Sequence, residues 1–295
     1  MTTTHTSAEI TQREGVLAGP MREPRNLAAN EAGSIHDDRQ AQKLGFRGGT
    51  VAGSIHMEQF PPLLVRAFGQ RWFETGSLSC YFRNATMDRE PVRAFVDIPS
   101  TGATDAQINV RMERDDGTLV LEGTASVGLP AEPSLLRAKL TEARESGEQR
   151  ILGHLTLGDV GRPVTVRLSP QEVRARLDAM TEPLDWYTGD SPWGGAIVDP
   201  GALVRMMVQV QRRIELPGDA VGLYGAIEVR HLSGPVFMER DYDVSGRILA
   251  VGQTPKTEYL WYETLMREGT TDVASMLMML RFMKASSPLW AGGPG

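Results

Sequence analysis

A glutamate and a histidine lie close together in the segment "NEAGSIHDDRQAQKLGFRGGTVAG", which begins at residue 30. Glu31 precedes His36 by five residues. An imidazole and a carboxylate on one short loop can act as acid and base, with the carboxylate orienting the imidazole or sharing a water molecule with it. We therefore interpret His36 and Glu31 as a candidate catalytic pair.

The glycines that follow this pair favour close approach of a ligand to the backbone. An apolar segment with helical spacing begins near Ala52 and Gly53. Free N–H groups at a helix start can stabilise an oxyanion, and a residue without a side chain lets a carbonyl group come near. Gly53 is therefore the candidate donor. The candidate substrate contacts around it are Arg47, Gly48, Gly49, Ser54 and His56.

Each of these residues also has a purely structural interpretation. His36 can be a hydrogen-bonded loop residue, Glu31 a solvated carboxylate, and Arg47 an ordinary surface arginine. His56 can pack in the core. The histidines and nearby acids show no recognised metal-ligand spacing, so we predict no metal site. Cys80, the only cysteine, lies in an apolar run and is predicted to be buried and unreactive.

Composition excludes several classes of partner. The chain has 295 residues, 41% of them hydrophobic, and a formal net charge of −6. The chain has no block of Lys and Arg of the kind that indicates nucleic-acid binding. It also has no apolar run of about eighteen residues, the length that indicates a membrane span. The first twenty residues lack the cationic start and apolar core of a secretory signal. We expect a cytoplasmic protein with a small-molecule partner.

An internal repeat predicts the elements that position the candidate residues. "FRGGTVAG" at 46–53 aligns with "PWGGAIVD" at 192–199, and the same offset pairs Gly76 with Gly222. After a slip of two residues, "EPVRAFVDI" from Glu90 aligns with "GPVFMERDYDV" from Gly234. Three matches in the same order indicate a duplicated domain.

Each half is predicted to be a helix followed by four strands. Pro61-Pro62 should kink the first helix, and Pro200 should begin the second, whose apolar stripe reaches Ile214. The predicted strands are Leu78–Thr86, Val92–Ile98, Ala106–Arg114 and Thr118–Val127, then Gly222–His231, Val236–Val251, Thr257–Arg267 and Asp272–Lys284. An antiparallel sheet that wraps its apolar face around a helix buries both, which predicts an α+β double hotdog.

The predicted organisation has five parts. A flexible N-terminus over 1–20 precedes an N-terminal hotdog over 21–130, which carries the catalytic loop. A linker over 131–150 contains a charged surface helix, Pro133–Glu145. A C-terminal hotdog over 151–285 and a flexible tail over 286–295 follow. Within the loop, a short helix Arg39–Leu44 should be capped by Asp38 and ended by Gly45.

The loop resembles the active-site segment of the MaoC-like (R)-specific enoyl-CoA hydratases and their dehydratase relatives. In that family an Asp precedes an invariant His, an acid, an Ala and a Gly-Phe follow, and a His-Gly pair opens the helix. The matching positions here are His36, Asp38, Ala41, Gly45-Phe46 and Gly53. The resemblance implies a hotdog fold and addition or removal of water across the α–β bond of an acyl thioester. It implies no cofactor beyond coenzyme A as part of the substrate.

Carried over from the resemblance, His36 moves the α-proton, Glu31 binds or activates the water, and Gly53 polarises the thioester carbonyl. The sequence departs from the family pattern at three places. Glu31 replaces the family Asp, Gly33-Ser34 replaces Asn-Pro, and Ala52 replaces the His of His-Gly.

The second half is predicted to shape a substrate tunnel. Its matching stretch, "PLDWYTGDSPWGG", contains no histidine. Trp186 and Trp193 stand there instead, and we interpret both as substrate contacts. One chain would contain the paired unit that single hotdogs form by dimerising, so we expect a monomer or a homodimer.

Three function classes stay open on the sequence. The first is a lyase, a hydratase or dehydratase that uses Glu31 and His36. The second is a hotdog thioesterase, for which Glu58 on the central helix is the candidate acid. The third is a non-catalytic or recruited hotdog protein that binds a small molecule without coenzyme A.

Overall fold

A computed structural model describes residues 10–143, 147–189, 191–216, 218 and 220–290. Its helices are α1 Asp38–Lys43, α2 Gly53–Met57, α3 Pro61–Phe68, α4 Trp72–Thr75, α5 Leu135–Glu142, α6 Pro170–Ala179 and α7 Pro200–Met207. Its strands are β1 Thr11–Arg13, β2 Val16–Ala18, β3 Gly76–Phe82, β4 Val92–Asp97, β5 Ala106–Arg114, β6 Leu119–Val127, β7 Gly158–Asp159, β8 Val164–Val166, β9 Gly222–His231, β10 Tyr242–Gln253, β11 Thr257–Glu268 and β12 Thr271–Met283.

One antiparallel sheet joins the two halves of the chain. Its order is β1-β2-β4-β5-β6-β3-β9-β12-β11-β10-β7, and β8 also pairs with β10. Residues 77–81 of β3 pair with residues 226–230 of β9 at the junction. The order β4-β5-β6-β3 on one side mirrors β10-β11-β12-β9 on the other. The halves are therefore duplicated units, as the repeat predicts.

The repeat alignment was wrong before the second strand of each half. β10 begins at Tyr242, not at Val236. Arg89 and Glu239 both have left-handed φ values, 57° and 61°, and each stands three residues before β4 or β10. Val92 therefore corresponds to Tyr242. The shared proline misled the alignment, because it directly precedes the strand in one half and lies in the loop in the other.

The central helices lie on one face of the sheet. Pro61 begins α3, so the first helical segment is broken where the prolines predict. In the second half, α7 ends at Met207 and continues as the 3₁₀ turn Val208–Arg213. Along β4 the buried residues alternate with half-buried ones, which turns one apolar face toward the helices. The halves meet where α2 contacts α7.

The linker helix covers the other face of the sheet. Leu136 on α5 is fully buried and packs with Ala226, Trp261 and Leu277. In β9, β11 and β12, the residues adjacent to these three belong to the main core. Because successive residues of a strand point to opposite faces of the sheet, α5 and the central helices lie on opposite faces. The predicted surface helix is thus partly buried. Its predicted end at Glu145 lies outside the described residues.

Both predicted flexible ends contain ordered structure. β1 and β2 form a hairpin whose second strand pairs with β4, so the prediction of a flexible N-terminus was wrong for residues 11–18. Residues 1–9 lie outside the described part. In the tail, the Trp290 Nε1–H donates to Glu258 Oε1 at 2.8 Å, so residues 286–290 are docked, while 291–295 are not described. No helix in the described chain is long and apolar enough to cross a membrane.

Candidate active site

The loop that carries His36 is folded back by two aspartates with different partners. Asp37, and not Asp38, caps α1: its side chain accepts the N–H of Gln40 at 2.9 Å. The Asp38 carboxylate instead accepts the N–H of Gly49 at 2.7 Å. Gly45 ends the helix with a φ of 86°, as predicted. The result is a tight loop in which the glycine pair returns to the segment before α1.

The glycine pair packs the loop and does not line the cavity described below. A Cβ atom on Gly49 would overlap the carbonyl group of His36, and one on Gly48 would lie 3.2 Å from Asp38 Oδ1. The Asn26 Nδ2–H donates to the same His36 carbonyl oxygen at 2.9 Å. The predicted substrate contact of Gly48 and Gly49 therefore finds no support. Their small size instead fixes the backbone position of His36.

The hydrogen-bond partner of one ring nitrogen determines the tautomer of His36. Nδ1 lies 2.7 Å from the backbone oxygen of Thr50. A carbonyl oxygen can only accept a hydrogen bond, so Nδ1 carries the proton and the lone pair of the neutral ring is on Nε2. No group in the described chain bonds Nε2, and His36 lines the cavity. The ring is held in the tautomer that a general base needs.

Glu31 lies on the same cavity but is exposed. Among the described residues, no hydrogen bond or ion pair joins its carboxylate to His36. Ser34 connects the two through the backbone: its hydroxyl donates to the Glu31 carbonyl oxygen at 2.7 Å and accepts the His36 N–H at 3.1 Å. Burial, and in addition the Glu31 carboxylate, raises the pKa of Tyr224 from the second half. The negative charge of Glu31 therefore influences Tyr224 on the opposite wall of the cavity.

The cavity has a volume of about 1150 Å³ and is lined by both halves. It opens where residues 222–225 of β9 run beyond the pairing with β3. Its cationic lining residues are Arg83, Arg176, Arg205, Lys256 and Arg281, whereas its acidic ones are Glu31 and Glu172. In a chain of net charge −6, this concentration of positive charge favours an anionic ligand.

Gly53 begins α2 at the cavity wall. No acceptor in the described chain takes its N–H. A Cβ atom at this position would lie within 2.8 Å of the Phe82 ring carbons, so a larger residue here would require the Phe82 ring to move. The donor role of Gly53 stays a prediction, but its position at the helix start is as expected.

His56 also lines the cavity, but it is held from within the protein. It is 2% exposed, and its Nε2 lies 2.7 Å from Thr86 Oγ1. Burial lowers the pKa of His56 to about 4, so the ring is neutral near pH 7. A packing role accounts for these contacts, and its predicted substrate contact stays a prediction.

A buried charged cluster connects α2 with the second half. Arg176 from α6 forms an ion pair with Glu58, and its Nη2–H donates to Ser54 Oγ at 3.4 Å. Burial raises the pKa of Glu58 well above its ordinary value; Arg176 opposes this rise and the neighbouring Asp199 adds to it. Asp199 is fully buried and caps α7. Ser54 and Arg176 line the cavity, whereas Glu58 does not.

Three further predicted contacts lie outside this cavity. Arg47 is exposed and pairs with Glu90 at 2.7 Å. Trp186 and Trp193 pack against Phe73, with ring centroids 5.7 and 6.1 Å apart. The aromatic side chains of the second half therefore build core between the halves, and their predicted tunnel role finds no support.

The role of Arg176 could not be predicted from the sequence, because its contacts join residues more than one hundred positions apart. No group of three or more His, Cys, Asp or Glu in the described chain is arranged to hold a metal ion.

Comparison with known proteins finds similarity in structure but none in sequence. No protein-family model and no curated protein sequence matches the chain. A protein described as a MaoC domain dehydratase from Chloroflexus aurantiacus J-10-fl aligns over 92% of this chain and 95% of its own, with a TM-score of 0.59 and 14% identity. A MaoC-like dehydratase aligns over 91% and 98%, with a TM-score of 0.55 and 14% identity.

A conserved Mycobacterium tuberculosis protein, described as having a double hotdog fold, aligns over 92% of this chain and 97% of its own. Its TM-score is 0.58 at 13% identity. This chain is a double hotdog. The predicted α+β fold is thus confirmed, and the double hotdog places the cavity between its two units. At such low identity, the likeness establishes the fold alone.

Proposed function

We propose that this double hotdog is a hydratase or dehydratase of an acyl thioester. The observation that carries the proposal is the hydrogen bond between His36 Nδ1 and the Thr50 carbonyl oxygen, which leaves Nε2 as a base at the cavity. The likeness to MaoC-like dehydratases and the matching loop sequence support the same reaction class. Coenzyme A would enter as part of the substrate, in a cytoplasmic enzyme that needs no redox or metal cofactor.

In the dehydration direction, His36 Nε2 takes the α-proton of a 3-hydroxyacyl thioester. The electron pair of the broken C–H bond forms the α–β double bond as the bond from the β-carbon to the hydroxyl oxygen breaks. The leaving hydroxide takes a proton from the acid form of Glu31 and departs as water. The Gly53 N–H donates to the thioester oxygen while negative charge develops there. The proton on His36 returns to Glu31 through solvent, and hydration is the reverse sequence.

The first test measures hydration of a short and a medium trans-2-enoyl-CoA by loss of the conjugated absorbance. We expect His36→Ala to lower kcat/KM by about 10²- to 10⁴-fold, the usual contribution of a general acid–base group. His154→Ala is the matched control, because His154 is exposed and lies outside the cavity. Absence of activity in folded wild-type protein contradicts the proposal.

Binding of a molecule without coenzyme A is the second candidate. The missing contact between Glu31 and His36 favours it, because an acid and a base that act on one substrate must both be held in position beside it. The thioesterase alternative loses its acid, since Glu58 is buried in an ion pair and does not line the cavity.

A further inference from the structure

Arg176 lies deeper than three of the other four cavity cations; the fourth, Arg281, is half-buried and donates from Nη2 to the Tyr81 hydroxyl at 2.6 Å. Arg83, Arg205 and Lys256 are exposed, whereas the Arg176 side chain is only 11% exposed. Glu58 and Ser54 take its Nε and Nη2 groups, and in the described chain no acceptor takes Nη1. A largely buried guanidinium with one free NH₂ group beside a cavity can donate a charge-assisted hydrogen bond to an anion.

The surroundings of Arg176 are built around the guanidinium group. A Cβ atom on Gly201 would overlap both Arg176 and Glu58, so the pair sits directly against the start of α7. Glu58 supplies the counter-charge that a buried arginine requires.

We propose that Arg176 binds a carboxylate on the acyl part of the substrate, so that the preferred substrate is a short thioester ending in a carboxylate. This inference rests on the proposed function, since it names the substrate class of that same site. It assigns Arg176, a residue of the second half, as the specificity-determining residue for a reaction carried out by His36.

The position of Arg176 selects a carboxylate over a carrier phosphate. Its Nη2 contacts Ser54, the residue next to Gly53, where the thioester carbonyl would lie. The phosphates of coenzyme A are many bonds away from the thioester, so the exposed cations Arg83, Arg205 and Lys256 suit them better. An anion beside Ser54 therefore suits a carboxylate of the acyl group itself, on an acyl chain of a few carbons.

The test compares two thioesters of equal chain length, crotonyl-CoA and the coenzyme A monothioester of fumarate. They differ only in a methyl group replaced by a carboxylate. We expect wild-type kcat/KM to favour the fumarate thioester by at least 10-fold, and the ratio to fall by about 10- to 100-fold in Glu58→Gln/Arg176→Gln. That variant removes both buried charges together, which avoids an unpaired one.

The matched control is Arg22→Gln/Glu182→Gln. Arg22 and Glu182 also form an ion pair between the halves, but neither lines the cavity. This control should leave the ratio unchanged. Glu58→Gln alone retains Arg176 and should bind the carboxylate at least as tightly as wild type. The inference is overturned if wild type prefers crotonyl-CoA, or if the ratio of the two kcat/KM values falls equally in both double variants.

Calorimetric titration with free fumarate, and separately with coenzyme A, tests recognition without turnover. Fumarate binding that is lost in Glu58→Gln/Arg176→Gln and kept in the control supports the inference even if neither thioester reacts, in which case the proposed function falls. Hydration of crotonyl-CoA without fumarate binding overturns the inference and leaves the function standing. If coenzyme A binding, and not fumarate binding, depends on Arg176, the anion is a phosphate and the inference is wrong.

Discussion

His231 lies against Phe73 with the ring centroids 5.6 Å apart, across the contact between the two halves. His231 is 2% exposed, and neither of its ring nitrogens has a hydrogen-bond partner in the described chain. A buried polar group without a partner costs about 1–3 kcal/mol. The aromatic cluster therefore contains a destabilising group that the proposed reaction does not use.

Replacing His231 should stabilise the protein. His231→Leu keeps a similar volume and removes both unpaired nitrogens, so we expect the free energy of unfolding to rise by about 1–2 kcal/mol. Urea denaturation at pH 7.5 measures the change, with exposed His154→Leu as the control. An unchanged or lower stability would indicate that the His231 nitrogens are satisfied by water.

Two buried histidines should make the protein acid-labile. Burial lowers the pKa of both His56 and His231 to about 4, from an ordinary value near 6.5. The unfolded chain therefore takes up protons first, and stability is lost as the pH falls from about 6.5 toward 4, by roughly 3 kcal/mol per histidine at the limit. Denaturation midpoints between pH 7.5 and 4.5 check this, and His231→Leu should lose less stability than wild type over this range.

Glu58 should have the opposite effect at higher pH. Its pKa is raised in the folded state, so the folded chain holds a proton that the unfolded chain releases above pH 4.5. Stability from this group is present at low pH and declines as the pH rises through the folded pKa. Glu58→Gln should flatten the stability profile between pH 5 and pH 9. A profile as steep as that of wild type would assign the dependence to other groups.

The glycine pair offers a matched test of the loop. Gly49→Ala places a Cβ against the His36 carbonyl group, whereas Gly48→Ala meets side-chain atoms no nearer than 3.2 Å. We expect Gly49→Ala to lower kcat by about 10- to 100-fold through displacement of His36, with a smaller change in KM. Gly48→Ala should change both parameters less. Equal effects would show that His36 does not depend on this contact.

Features set by neighbouring residues could be predicted from the sequence. β5 and β9 have their predicted bounds, and Gly117 in the Asp-Gly turn after β5 has a φ of 80°. Which of two adjacent aspartates caps α1 depends on backbone angles that composition does not reveal. The capping box of Ser169 and Glu172 could have predicted the start of α6. The role of Arg176 could not be predicted, since α6 meets α2 only after both halves have folded.

The antiparallel junction of β3 and β9 makes the two walls of the cavity parts of one chain. In a dimer of identical hotdogs, each substitution is present in both subunits, so it changes both of the equivalent sites in the same way. Here the wall with Arg176 and Tyr224 can vary independently of the wall with His36. A single asymmetric site can thus acquire a new ligand preference without any change in the residues that transfer protons.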